Sequence, residues 1–144
     1  MKKSGFTLVE ILIVVIILGI LAAIVIPQFT QASNDARTNS LASDLQTVRS
    51  QIQLFRVQHL DNFPSSDLVN QMMSRSDQLG NLAALTADPN TYPLGPYLQK
   101  FPTNAFADNS NVKIGDPAGT GPEGWDYNPA TGAFYANTPA HAGM

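Results

Sequence analysis

The residue best placed to do chemistry is a carboxylate near the N-terminus. Glu10 is the one charged residue between Phe6 and Ile26, in a run that is otherwise apolar except for Thr7. An acidic side chain at the centre of a membrane costs roughly 2.5 kcal/mol or more, and less near its edge. Glu10 is therefore expected to meet a cation. Lys2 and Lys3 of the same chain are candidates, and so is a free amino group on a neighbouring chain.

Other kinds of chemistry lack the residues that they need. The 144 residues contain no Cys and two His, which excludes disulfides, Cys-ligated zinc, iron–sulfur clusters and c-type haem. A net charge of -3 with dispersed basic residues argues against tracking a phosphate backbone. No G-x-S-x-G, H-E-x-x-H or P-loop pattern occurs, and nothing marks Glu123 and Asp126 as a catalytic pair. We predict that the chain is not an enzyme and binds no nucleic acid.

A long apolar helix must position Glu10. The 21 residues from Phe6 to Ile26 would form a helix of ~31 Å, close to the thickness of a bilayer's hydrocarbon core. The basic leader before it places its start in the cytoplasm. A secretory signal peptide would need an A-x-A-like cleavage site, which Gly19–Ile24 does not supply. A core helix that is apolar all round would need a much larger protein to cover it.

The sequence from Gly5 to Glu10, followed by the apolar run and Pro27, resembles the prepilin signature of type IV pilins and type II secretion pseudopilins. The resemblance is strong from Met1 to about Pro64 and loose beyond. It implies that a prepilin peptidase cuts between Gly5 and Phe6 and methylates the new amine of Phe6, which keeps its positive charge.

The resemblance also assigns roles to residues of the helix. It implies that Glu10 pairs with the Phe6 amine of an adjacent subunit during assembly, so that the pair fixes the register. Gly19 is a poor helix former and Pro27 cannot donate a backbone hydrogen bond. In several type IV pili the segment that matches Gly19–Pro27 melts to extended chain, and we expect the same here.

The second half of the helix carries a stripe of apolar residues with spacings of 4, 3, 4 and 3, which predicts one buried helix face. Its members are Leu41, Leu45, Val48, Ile52 and Phe55. We expect this helix to end at Asn62 and Pro64, with His59 as a capping or surface residue. A short helix should follow through Leu68, Val69, Met72 and Met73 and stop before Gly80. Three leucines after it should cover the stripe: Leu79, Leu82 and Leu85.

The C-terminal part is rich in Pro and Gly, which favours short strands over long helices. Strands are predicted at Asn111–Ile114, Trp125–Tyr127 and Ala133–Ala136, and the last two form a hairpin around the turn residues 128–132. The fold class is therefore α+β: a long N-terminal helix with a small antiparallel sheet in the head. We divide the chain into a leader (1–5), a membrane and filament-core helix (6–26), its amphipathic continuation (27–63) and a globular head (64–144).

Three aspartates in predicted loops are weak candidates for a calcium site: Asp108, Asp116 and Asp126. Calcium takes roughly 6–8 oxygen ligands, and major pseudopilins hold one in a C-terminal loop. This chain has no EF-hand loop and lacks the acid-rich pseudopilin tail. We therefore expect no cofactor, with calcium as the one alternative.

The function implied by the resemblance is that of a structural subunit. The precursor would wait in the inner membrane, meet prepilin peptidase and an assembly platform, and join copies of itself in a helical filament. The first reading is an extracellular type IV pilus that serves adhesion, motility or DNA uptake. One alternative is a pseudopilin in the periplasmic piston of a type II secretion system, and another is a single-pass anchored binding protein.

Overall fold

The computed structural model describes residues 5–115, 119 and 121–144 of the chain. Its contacts divide it into two compact units, Met1–Arg37 and Thr38–Met144. The first helix, α1, runs from Leu8 to Gln58 over 51 residues and so belongs to both units.

In the first unit, α1 buries nothing within the subunit. Every described residue from 5 to 32 is exposed, although most are large and apolar. Among the described residues, α1 is the helix that is long and apolar enough to cross a membrane, with a mean hydropathy of 3.3 over its best 18-residue window. Such a surface is stable only against lipid or against other helices of the same kind.

In the second unit, one face of α1 forms the base of the core. The five residues of the predicted stripe are all buried, none more than 2% exposed, so the 3.6-residue period located the core face correctly. The head contributes the other large core side chains, namely Leu68, Met72, Phe101, Trp125, Tyr127 and Phe134.

The helix ends at Gln58 and not at the predicted Asn62. Leu60 and Asp61 take left-handed φ angles of 56° and 68°, a conformation that terminates helices. His59 caps the end of the helix, one of the two roles predicted for it, because its Nδ1 lies 2.9 Å from the Phe55 carbonyl oxygen. It is not the surface residue that was the other possibility, because its side chain is buried. Its ring stacks on Phe55 with centroids 3.7 Å apart, and its Nε2 lies 3.0 Å from the Ser76 hydroxyl.

Helix α2 spans Leu68–Met73, within the short helix predicted to stop before Gly80. It leads into a two-stranded antiparallel hairpin of β1 (Arg75–Ser76) and β2 (Leu82–Ala83). The leucines expected to cover the stripe do not do so. Leu79 is 80% exposed, and Leu82 and Leu85 are exposed as well. The tight turn between β1 and β2 directs the leucine at its tip away from the core, whereas Met72 fills the position beside the stripe.

The second sheet has the order β3-β4-β5, with β3 at Val112–Ile114, β4 at Trp125–Asn128 and β5 at Ala133–Ala136. The β4–β5 hairpin is antiparallel as predicted, but β3 pairs with β4 in parallel, which makes this sheet mixed. The connection between β3 and β4 is long enough to carry the chain back before β4 begins, so the pair need not be antiparallel. The predicted α+β class with a long N-terminal helix is confirmed.

Candidate functional site

The start of α1 is organised by a reciprocal pair of hydrogen bonds. Glu10 Oε2 accepts from the Thr7 backbone N–H at 2.7 Å and from the Thr7 hydroxyl at 2.8 Å. The Glu10 N–H donates back to Thr7 Oγ1 at 3.3 Å. This arrangement is a capping box, in which two helix-terminal N–H groups are satisfied by each other's side chains. It also places a negative charge at the positive end of the helix dipole.

The capping box changes the account of Glu10. The carboxylate was expected to meet a cation, yet Thr7 already provides it with two hydrogen-bond donors inside the subunit. Lys2 and Lys3, the cations considered for it, lie outside the described residues. Sequence reasoning missed Thr7, although the T-x-x-E spacing before an apolar run is the signal for such a box.

The predicted processing site lies just before the helix. Gly5 and Phe6 precede α1, and Phe6 is 84% exposed. A Cβ placed on Gly5 would meet no atom within 4 Å. The backbone here is free of helix hydrogen bonds, which is the condition that a protease cleft requires. Cleavage after Gly5 and methylation of Phe6 stay predictions.

The predicted melting segment is helical in this subunit. Helix α1 continues through both Gly19 and Pro27. Pro27 removes the N–H that would bond to Ala23, so one helix hydrogen bond is missing there. Three residues on, the Thr30 hydroxyl bonds to the Ile26 carbonyl at 3.1 Å. Melting of Gly19–Pro27 within a filament stays a prediction.

The calcium candidates are dispersed among different environments. Asp126 lies in strand β4 and not in a loop, is fully buried, and has its carboxylate 3.7 Å from Lys113 Nζ. Asp108 occupies a turn with φ 53°. Asp116 lies outside the described residues. Within the described ranges, no three His, Cys, Asp or Glu side chains form a group able to hold a metal. The expectation of no cofactor and its alternative, a calcium site, both stay predictions.

Arg49 of α1 hydrogen-bonds to two separate parts of the head. The Arg49 Nε donates to the Phe134 carbonyl on β5 at 2.9 Å, and its Nη2 donates to the Met144 carbonyl. Its guanidinium also lies over the Tyr135 ring. Hydrogen bonds from a charged donor are the stronger kind, so Arg49 fixes both β5 and the C-terminal segment on the helix.

Comparison with known proteins points in the same direction as the geometry. Residues 1–26 match the family model described as the prokaryotic N-terminal methylation motif. No solved structure matches the chain. Among curated proteins, the type II secretion system core protein G of Pseudomonas aeruginosa is 32% identical over 107 residues, covering 73% of this chain and 69% of that relative. The Vibrio cholerae protein of the same name is 25% identical over 144 residues, covering 94% and 92%.

These similarities extend well beyond the N-terminal motif and into the head. They agree with an exposed apolar helix that begins at a Thr7–Glu10 capping box and carries a small α+β head on its second half. The chain belongs to the family of type IV pilins and type II secretion pseudopilins.

Proposed function

We propose that the chain is a pseudopilin, a structural and non-enzymatic subunit of the periplasmic filament of a type II secretion system. The observation that carries this proposal is the similarity to core protein G, which spans 73% of the chain, whereas the methylation motif ends at residue 26. The motif alone is shared by both branches of the family. The head similarity therefore favours the pseudopilin over the extracellular pilus that the sequence first suggested.

The exposed helix supports assembly through burial of apolar surface. Residues 8–26 of α1 are covered by nothing within the subunit. The bilayer covers them in the precursor, and neighbouring helices cover them in the filament. Apolar burial contributes roughly 25 cal/mol per Å², so transfer from lipid to a bundle of helices keeps that stabilisation.

Glu10 has a specific part in this proposal. In the precursor its carboxylate is held by Thr7 at the first turn of α1. In a neighbouring subunit, cleavage after Gly5 makes the amine of Phe6 the new N-terminus. The charged amine then pairs with a carboxylate that is already oriented. An unpaired charge in the filament core would be strongly destabilising, which makes misaligned subunits unfavourable.

The experiment is complementation in a bacterium whose own core protein G gene is deleted and whose prepilin peptidase and secretion machinery are intact. We expect this chain to restore secretion of the host's type II substrates and to be recovered without residues 1–5 and with one N-methyl group by intact mass. Glu10→Gln, which keeps the size of the side chain but not its charge, is expected to be processed normally and to fail in secretion.

Two outcomes would contradict the proposal. Long surface fibres of this chain without restored secretion would identify an extracellular pilin. An unprocessed protein that stays in the membrane would identify a single-pass anchored protein. Gly5→Val is the matched processing control, because a side chain at Gly5 meets nothing within 4 Å and leaves the described subunit undisturbed.

A further inference from the structure

Leu79 is an exposed leucine presented by a rigid turn. Asp77 Oδ1 accepts from the Leu79 and Asn81 N–H groups, each at 2.9 Å, and Asp77 Oδ2 accepts from Asn81 Nδ2 at 2.7 Å. Gly80 supplies the positive φ of 85° that the turn requires. The bond from the Asn81 side chain, with those from the backbone, lowers the pKa of Asp77, so the carboxylate is charged at neutral pH. We call this side chain the Leu79 knob.

A binding anchor is usually an apolar side chain that the backbone holds in one exposed conformation. A side chain held by its backbone loses little conformational entropy on binding. Leu79 stays 80% exposed although it borders the same cavity as Phe55 of the core stripe. The hydrogen bonds around Asp77 therefore hold Leu79 out of the core, where a looser loop would let it collapse inward.

The same head carries an open apolar groove. It has a volume of about 600 Å³ and lies between the outer side of α1 and the C-terminal residue Met144. Leu45 and Met144 provide apolar wall, Arg49 lies at its side, and Ser50 is an exposed lining residue. We call it the α1–Met144 groove.

A polymer of identical subunits needs two different surfaces on each copy, one that projects and one that receives. The Leu79 knob and the α1–Met144 groove have these two shapes. Their charges are also complementary, because the knob carries the Asp77 carboxylate and the groove carries the Arg49 guanidinium.

The spacing along α1 agrees with a stepped arrangement of copies. Leu79 borders the same small cavity as Phe55 and His59, whereas the groove lies between Ala42 and Gln53. The two levels differ by about ten helical residues, or ~15 Å. Parallel copies shifted by that distance bring the knob of one to the level of the groove of the next.

We propose that the Leu79 knob of one subunit seats in the α1–Met144 groove of a neighbouring copy. This inference rests on the proposed function, since it requires that the chain forms a homopolymer. It adds a head-to-head contact to the packing of the apolar helices, and it names the two surfaces that make it.

Cysteine cross-linking tests this contact directly, because the chain has no Cys of its own. The full chain with Leu79→Cys and Ser50→Cys is expressed in the secretion-competent host, and its assembled fibres are oxidised mildly. We expect a ladder of covalent dimers, trimers and higher species. Co-expression of the two single variants should stop at dimers, which distinguishes cross-links between copies from cross-links within one copy.

The matched control replaces Ser50→Cys by Ser43→Cys, another exposed serine of α1 that does not line the groove. It lies seven residues away, ~10 Å along the helix, beyond the Cα separation of roughly 4.4–6.8 Å that a disulfide spans. Fibres that form without a ladder, or an equal ladder with Ser43→Cys, would overturn the inference.

A second variant keeps the inference testable if the cysteines impair assembly. Leu79→Ser removes the knob from a side chain that contributes little to the core, so the head should melt as in the wild type. We expect at least a tenfold loss of fibres, and an unchanged fibre yield would refute the contact. If the wild-type chain itself restores no secretion, the proposed function fails and this inference fails with it, whereas restored secretion without the contact leaves the function standing.

Discussion

Replacement of Gly132 by alanine is expected to destabilise the head through two separate effects. Gly132 has φ 71° in the β4–β5 turn, and a Cβ there would fall on the Phe63 ring, touching Cε1, Cδ1 and Cζ. The left-handed conformation costs a residue with a Cβ roughly 1–2 kcal/mol. Overpacking against Phe63 adds roughly 1–3 kcal/mol. The sum is about 2–5 kcal/mol of unfolding free energy.

The displaced ring has its own partner. The Arg56 guanidinium lies 4.7 Å from the centroid of Phe63 and pairs with Asp61 at 2.7 Å. Movement of the Phe63 ring in the Gly132→Ala variant therefore disturbs its contact with Arg56, close to the end of α1.

The assay is thermal unfolding of the full chain in detergent, followed by near-ultraviolet circular dichroism from Trp125. At about 4 °C per kcal/mol for a unit of this size, we expect Tm to fall by about 8–20 °C. Gly80→Ala is the matched control, because Gly80 has φ 85° and no neighbour within 4 Å of its Cβ. It isolates the cost of the backbone conformation.

A double variant separates the steric effect further. Gly132→Ala combined with Phe63→Leu should lose less stability than the two single changes added together, because the smaller side chain makes room for the new methyl group. If Gly132→Ala is no more destabilising than Gly80→Ala, or if the double variant shows simple additivity, the packing argument around Phe63 is refuted.

Three further predictions concern the helix start, the head and its pH dependence. Thr7→Val removes the hydroxyl that bonds to Glu10, a helix cap worth about 1 kcal/mol. Hydrogen exchange at the Glu10 amide should therefore become about fivefold faster. The Thr7→Ser variant keeps a hydroxyl, and its Glu10 amide should exchange like that of the wild type. Arg49→Ala leaves the Phe134 carbonyl without its donor and should cost about 2–4 kcal/mol in chemical unfolding, and Arg49→Lys should restore only part of this because lysine lacks the planar fork. Burial raises the pKa of Tyr97 to about 12 from 10.0, so stability should be full below pH 10 and fall between pH 10 and 12 as the unfolded chain alone ionises. Tyr97→Phe should flatten that fall, and an unchanged profile would contradict it.

Much of this fold follows from local patterns in the sequence. The stripe from Leu41 to Phe55 is read from the helical period, because only one helix face can meet a small head. The β4–β5 hairpin follows from turn residues that suit few other conformations. In both places, a local preference and the tertiary environment point to the same structure.

The errors lie where tertiary contacts decide between two chemically reasonable outcomes. His59 is polar enough for the surface, yet Phe55 and Ser76 provide a stacking face and a hydrogen bond that make burial favourable. Leu79 is apolar enough for the core, yet Asp77 holds its turn outward. The parallel pairing of β3 depends on the path of a connection, which no periodicity encodes. Thr7 is a different case, because the T-x-x-E spacing that predicts its capping box can be read from the sequence alone.

The contacts between α1 and the head determine how the subunit responds to force. Arg49 bonds to β5, the stripe residues pack along four turns of the helix, and His59 bonds to Ser76 at its end. A pull along the helix axis loads these contacts side by side, in shear, and does not break them one after another as peeling would. We therefore expect a force applied along the helix to reach the head without first unfolding it.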